Sequence, residues 1–132
     1  MSENGAGLLI LRPRDGKVLM TRRSASESSP GYWDFTGGSV ESGETHLEAA
    51  LREGREELGG LPKLYIDTEP VWWAPNPFFA FALFLAQMDA SGDAWEPILN
   101  DEHDRYGWFS PSNLPTPSLP GAIAGVKYFF RT

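Results

Sequence analysis

The chain contains no cysteine and only two histidines. Without cysteine there is no disulfide framework, no thiolate zinc site, no cysteine nucleophile and no thiol redox chemistry, and the expected compartment is a reducing cytoplasm. Long apolar runs are also missing. The longest, around Phe78 to Ala86, is far too short to span a bilayer, and Met1 to Gly7 is polar and small rather than basic then apolar, so neither a membrane anchor nor a targeting segment is expected. Net positive charge is absent as well: the formal charge is −7. The summed field of such a chain repels a polyanionic duplex, so no long nucleic acid is expected as a partner. An acidic protein can still act on phosphates by recruiting divalent cations, which carry the positive charge its side chains lack.

What is present is enough for one core. With 132 residues, 41% of them hydrophobic, a single domain over residues 1–132 is expected, because two domains of half that length would each be marginal. Gly7 to Leu11 reads as a buried strand, Pro13-Arg14-Asp15-Gly16 as a turn, and Lys17 to Thr21 as the returning strand of a hairpin. The serine-rich stretch Ser24 to Gly31 reads as an exposed loop before extended structure resumes at Tyr32-Trp33-Asp34-Phe35.

From Thr45 to Leu58 the pattern is helical: Leu47, Ala50, Leu51, Gly54 and Leu58 form one apolar stripe. Thr45 is the expected N-cap with Glu48 as its capping-box partner, and Gly59-Gly60 the stop. Lys63 to Trp73 and Phe78 to Met88 read as strands joined by Ala74 to Pro77, and Tyr106 to Phe109 as a further short strand. Ser110 to Leu114 and Gly121 to Phe130 read as short helices. No internal repeat is visible, and the mixture of strands and helices predicts an α/β fold.

On the central helix, Glu53, Glu56 and Glu57 stand at i, i+3 and i+4, so their carboxylates project from one side and repel one another. A bound cation is the natural compensation, the alternative being a plain solvated acidic face. Hard carboxylate oxygens suit Mg²⁺ or Mn²⁺, and the scarcity of histidine and lack of cysteine argue against zinc. Just upstream, Thr36 to Glu44 places a glycine-rich turn between a strand and that helix. Glycines there let backbone groups approach a phosphate or a metal without obstruction by a Cβ.

Gly38, five residues, Glu44, seven residues, then Arg52-Glu53-Gly54-Arg55-Glu56-Glu57-Leu58-Gly59-Gly60 resembles the box of the Nudix hydrolases, MutT-like enzymes, over residues 38–60. All seven fixed positions of that pattern are matched, which makes the signal far more specific than a lone glycine loop. Gly54 and Gly60 stand where the pattern prefers bulkier apolar residues, and Thr36 where relatives often carry proline. Asp101-Glu102-His103, Tyr106 to Phe109 and Asn113-Leu114-Pro115 are similar to the closing region of many such domains.

The resemblance implies an α/β/α sandwich around a mixed β-sheet, and a magnesium- or manganese-dependent enzyme that cleaves a diphosphate linkage in a nucleoside triphosphate or related derivative by attack of water on phosphorus. It implies metal ligation by Glu53, Glu56 and Glu57 with the carbonyl of Gly37. The catalytic base is expected to be Glu102 or Glu53. Gly38, Glu44, Arg52 and Gly59 are expected to hold the box together, Arg52 and Glu44 by pinning the loop to the helix. His46, on the same side of the helix as Glu53 and Glu57, reads as a surface bystander. Arg22 and Arg23 are expected to contact phosphates. Trp73 and Phe79, from the aromatic set that also includes Trp72 and Phe78, are expected to stack on a base.

The rival reading from another class is a non-catalytic nucleotide-binding module of the same fold; such modules tend to lose box carboxylates, and all are present here. A decapping-type activity on RNA is disfavoured by the acidic charge. An isopentenyl diphosphate isomerase is disfavoured because that chemistry uses a cysteine. The expected partner is a small-molecule nucleotide, and the expected assembly a monomer or homodimer.

Overall fold

The computed structural model of the protein describes residues 3–67, 69–76, 79–92 and 94–130. In chain order the elements are β1 (Glu3–Arg12), β2 (Lys17–Arg23), β3 (Trp33–Asp34), β4 (Thr36–Ser39), α1 (His46–Leu58), β5 (Leu64–Ile66), β6 (Val71–Asn76), β7 (Phe79–Met88), β8 (His103–Phe109) and α2 (Pro120–Phe130).

All the strands belong to one mixed sheet, and β1 is its hub. Along one edge β1 pairs in parallel with β7, from Glu3↔Phe79 to Leu11↔Gln87. Its other edge is shared by two antiparallel partners, β2 at Leu11 and Arg12 and β4 from Gly5 to Leu8. Both faces of β1 are buried, which is why its sequence reads as a continuous apolar run. Leu8 and Ile10 pack with Ala49, Ala50, Leu58 and Phe84 on the side of α1, whereas Leu9 packs with Val18, Met20, Leu83, Ala122 and Val126 on the side of α2. One helix therefore covers each face of the sheet, an α/β/α arrangement.

The α1 helix begins and ends where its residues dictate. Thr45 accepts a hydrogen bond from the Glu48 backbone N–H while the Glu48 carboxylate accepts one from the Thr45 N–H, and Gly59 closes the helix at a left-handed φ of 71°. Ala49, Ala50, Gly54 and Leu58 are buried against the sheet, and so is Glu57, a charged residue on the packed face.

Three expectations need correction. The run from Lys63 to Trp73 is two strands, interrupted where the Asp67 carboxylate accepts from the Glu69 N–H and where Pro70 has no N–H to donate. Ala74 to Asn76 continue β6 instead of forming a loop, with an irregular register between Trp73 and Asn76. Pro77 and Phe78 lie outside the described residues. Ser110 to Leu114 is a turn, not a helix, closed by the Asn113 N–H donating to the Ser110 carbonyl, with Pro111 and Pro115 at its ends.

Candidate active site

Two pieces of backbone pairing bring the acidic groups together. The β4 strand, antiparallel to β1, lies beside α1, so the Gly37-Gly38 pair faces the helix turn that carries Glu53 and Glu57. The β8 strand pairs with β2 from Val18 to Arg23 and delivers Glu102 and His103 to the same place. The resulting cleft, of about 320 Å³, is bounded by Gly37, Gly38, Glu53, Glu57, Glu102 and His103, with Arg23, Glu27 and Asp34 completing its wall.

Glycine at position 38 lets the Glu53 carboxylate lie against β4: an added Cβ would stand 2.6 Å from Oε1 of Glu53 and displace that carboxylate from its present place. Glu57 is 2% exposed and accepts hydrogen bonds from the Thr36 hydroxyl at 2.9 Å and the Gly37 N–H at 3.3 Å. Burial first, and the neighbouring Glu53 second, push the Glu57 carboxyl up to about 9, against the pull of those two donors. The protonated form of Glu57 is thereby favoured at neutral pH.

Glu102 is half-buried and oriented by Asn100, whose side-chain carbonyl accepts from the Glu102 N–H at 3.0 Å. His103 follows it, and its Nδ1 lies 3.9 Å from Oε1 of Glu57. That nitrogen is buried and has no hydrogen-bond partner among the described residues. Burial, then the Arg23 charge, lower the His103 pKa and favour the neutral ring. Glu57, Glu102 and His103 each offer a ligand atom within 4.8 Å of the other two. A buried, proton-holding carboxyl, a second carboxylate and an orphaned imidazole nitrogen make a donor set that fits a divalent cation.

Arg52 organises the rim. Its guanidinium donates to both oxygens of Glu44 at 2.7 and 3.1 Å, to the Ser39 carbonyl at 2.9 Å and to Glu53 at 3.0 Å. The loop from Ser39 to Glu44 is thereby tied to α1, and Glu44 is held below the usual carboxylate range by this arginine. Glu56 is exposed and turned outward, 3.4 Å from Arg52, and is not in the wall of the cleft. The three box carboxylates therefore diverge: Glu57 inward, Glu53 along the cleft, Glu56 at the outer edge.

The remaining expectations fall in different places. Arg22 pairs with Asp104 at 2.8 Å and does not enter the cleft, whereas Arg23 lines it while donating to the carbonyl and hydroxyl of Ser28. His46 is no simple surface residue. Its Nε2 is buried without a hydrogen-bond partner among the described residues, and the ring stands edge-on to Trp72 at 4.9 Å. Trp72, Trp73 and Phe79 line a second, apolar cavity of about 520 Å³ between β6, β7 and the start of α2.

Asp34 and Phe35 border both spaces. Burial raises the Asp34 carboxyl to about 7, against the pull of the Phe35 N–H. The cavity wall is fixed by a short crossover pairing in which the Trp33 N–H donates to the Pro117 carbonyl and the Leu119 N–H donates to the Trp33 carbonyl. Sequence reasoning passed over Asp34, Thr36 and His103. The one usable signal was that His103, one of two histidines, directly follows Glu102.

The family model of the NUDIX domain matches residues 1–130. An uncharacterised Nudix hydrolase of Yersinia pestis is 33% identical over 125 residues, covering 86% of this chain and 69% of that protein. A CTP pyrophosphohydrolase of Escherichia coli is 50% identical over 46 residues, 35% of this chain and only 34% of that protein's length. The crystal structure of a MutT Nudix hydrolase from Burkholderia pseudomallei superposes with a TM-score of 0.75 at 27% identity, covering 96% of this chain and 97% of that one. With the box carboxylates gathered on α1, a mixed sheet between two helices and a family match over nearly the whole chain, the protein belongs to the MutT-like Nudix hydrolases.

Proposed function

We propose that the protein is a magnesium- or manganese-dependent pyrophosphohydrolase of a nucleoside triphosphate or related nucleoside diphosphate derivative, releasing a monophosphate. One observation carries this reading: the acidic cleft and the aromatic cavity adjoin at Asp34 and Phe35. A diphosphate in the first leaves a base within reach of the second.

Glu53 and Glu57 would hold the cation, with the Gly37 carbonyl as a further oxygen, while Glu56 stays at the outer rim with Arg52. When bound, the cation polarises the phosphoryl oxygens and lowers the pKa of the attacking water. Arg23 meets a phosphate at the cleft wall. Glu102 or Glu53 takes the proton of the water, since both border the cleft and neither is engaged as deeply as Glu57. Trp73 and Phe79 stack on the base, and Trp73, 39% exposed, is accessible for that contact. Asp34 stands where it meets the base edge or the sugar.

The test is a nucleotide panel that includes CTP, because one relative is named for that substrate. With Mg²⁺ or Mn²⁺ the protein is expected to release pyrophosphate and a nucleoside monophosphate from at least one member, and Glu57→Gln to abolish turnover. Tight nucleotide binding with no turnover on any member would reject the enzymatic reading in favour of a binding module.

A further inference from the structure

We infer that Nδ1 of His103 is a nitrogen ligand of the divalent-cation site, so that this site is a mixed nitrogen and oxygen site shared with Glu57 and Glu102. The inference rests on the proposed cation site and adds to it a donor type that the box carboxylates do not supply.

The geometry carries it. His103 borders the cleft with its side chain 5% exposed, and its Nδ1 lies 3.9 Å from Oε1 of Glu57, with no hydrogen-bond partner among the described residues. A buried polar nitrogen without a partner costs free energy, and coordination removes that cost. Two ligands of one ion, at bond lengths of about 2.0 to 2.2 Å, stand roughly 3 Å apart when adjacent and a little over 4 Å apart when opposite. The 3.9 Å separation, and the triangle of edges within 4.8 Å that Glu102 closes, are wider than adjacent ligands of one ion, so a shift of about 1 Å in these side chains would draw the three donors onto one cation.

The backbone holds the imidazole in place. His103 begins β8 and pairs with Arg23 across a register shift in β2, and its N–H donates to the Asn100 carbonyl. Imidazole suits Mn²⁺ and later transition metals better than Mg²⁺, so the preference of the site for Mn²⁺ over Mg²⁺ depends on His103.

The experiment is pulsed electron paramagnetic resonance on the full chain loaded with Mn²⁺, alongside calorimetric titration with Mn²⁺ and with Mg²⁺. Directly bound imidazole imposes a ¹⁴N modulation on the Mn²⁺ echo. That modulation is expected in the wild type and in His46→Asn, to vanish in His103→Asn, and to shift to the ¹⁵N frequency when the wild-type protein is labelled with ¹⁵N-histidine. The labelling arm needs no substitution and so stands even if His103→Asn fails to fold. His103→Asn is expected to weaken Mn²⁺ binding roughly 10- to 100-fold, the range for a lost supporting group at a metal, and Mg²⁺ binding less. Mn²⁺ that binds, is lost in Glu57→Gln, and shows no nitrogen modulation would overturn the role of His103 while leaving the carboxylate site standing. Mn²⁺ binding that is absent, or unaffected by Glu57→Gln, would overturn both.

Discussion

Replacing Glu57 with glutamine should stabilise the metal-free protein while removing its response to magnesium. In the folded chain the Glu57 carboxyl is raised from 4.5 to about 9, chiefly by burial and then by Glu53. The folded pKa lies above the unfolded one. Stability is therefore greatest below about pH 4.5, is lost as pH rises through the interval, and the full cost is reached above about pH 9. At pH 7 the unfolded chain has released a proton that the folded chain retains. At about 1.4 kcal/mol per unit, the 2.5 units between 4.5 and 7 amount to at most roughly 3 to 4 kcal/mol.

Glutamine reproduces the protonated side chain without that proton uptake. Its carbonyl can accept from Thr36 and Gly37 as the carboxylate does, and its amide can donate to Glu53. In EDTA at pH 7, scanning calorimetry should therefore place Glu57→Gln above the wild type by a few degrees, with an upper limit of about 10 °C for a chain of this size. Magnesium should reverse the order. At a free concentration one hundred times its Kd, a cation that binds only the folded wild type adds about 2.7 kcal/mol, and the variant should gain little. A variant less stable than wild type in EDTA, or one lifted equally by magnesium, would refute this account of the cleft.

Asp34→Asn should flatten the fall in stability between about pH 4 and 7, because the wild-type carboxyl, raised to about 7, is ionised in the unfolded chain and protonated in the folded one over that window; melting temperatures at pH 4, 5.5 and 7 check it. Arg52→Lys keeps the charge but loses the fork that holds Glu44 and the Ser39 carbonyl, and should cost about 1 to 3 kcal/mol by urea denaturation. Gly54→Leu should cost a similar amount, about 1 to 3 kcal/mol, because a Cβ there already meets Leu8 and Leu61 at 3.3 Å; Gly54→Ala should fall close to zero in the same assay, as its gain of about 1 kcal/mol in helix propensity offsets the crowding. Trp73→Ala should raise KM, with a smaller change in kcat, by the factor corresponding to about 1 to 3 kcal/mol of lost stacking on the base; an unchanged KM would remove that tryptophan from the substrate site.

Where local chemistry determines structure, the sequence was legible. The α1 helix shows its cap at Thr45, its stripe at Ala50, Gly54 and Leu58 and its stop at Gly59 within one continuous segment, and each feature acts over four residues or fewer. The hairpin of β1 and β2 is local in the same sense. The parallel pairing of β1 with β7 joins residues more than seventy positions apart, and nothing near either strand specifies its partner. The site divides along the same line. Glu53 and Glu57 were found because they share a helix. Asp34 and His103 were missed because their importance comes from pairing across the sheet, which makes Asp34 a wall between two spaces and brings the His103 ring beside Glu57. Glu56 shows the converse: helical spacing puts it near its neighbours, yet the salt bridge to Arg52 turns it outward.

The distribution of cations explains why so acidic a chain would need a metal to handle phosphate. Arg12 is joined to Asp15, Arg22 to Asp104, and Arg52 to Glu44, Glu53 and Glu56. Arg23, which does border the cleft, already donates to Ser28 and stands 4.0 Å from Glu27. These arginines position carboxylates and loops, and a phosphate competing for them would have to break contacts that maintain the fold. The acidic cleft has the opposite imbalance, because burial and the neighbouring Glu53 raise the Glu57 carboxyl and favour its protonated form. A divalent cation would settle both problems in one step: it would displace that proton and present to the phosphate a positive charge that no side chain has to surrender. Nucleotide binding should accordingly require the cation and release protons from the cleft as the cation enters, a release that calorimetry in buffers of different ionisation enthalpy would measure and that Glu57→Gln would diminish.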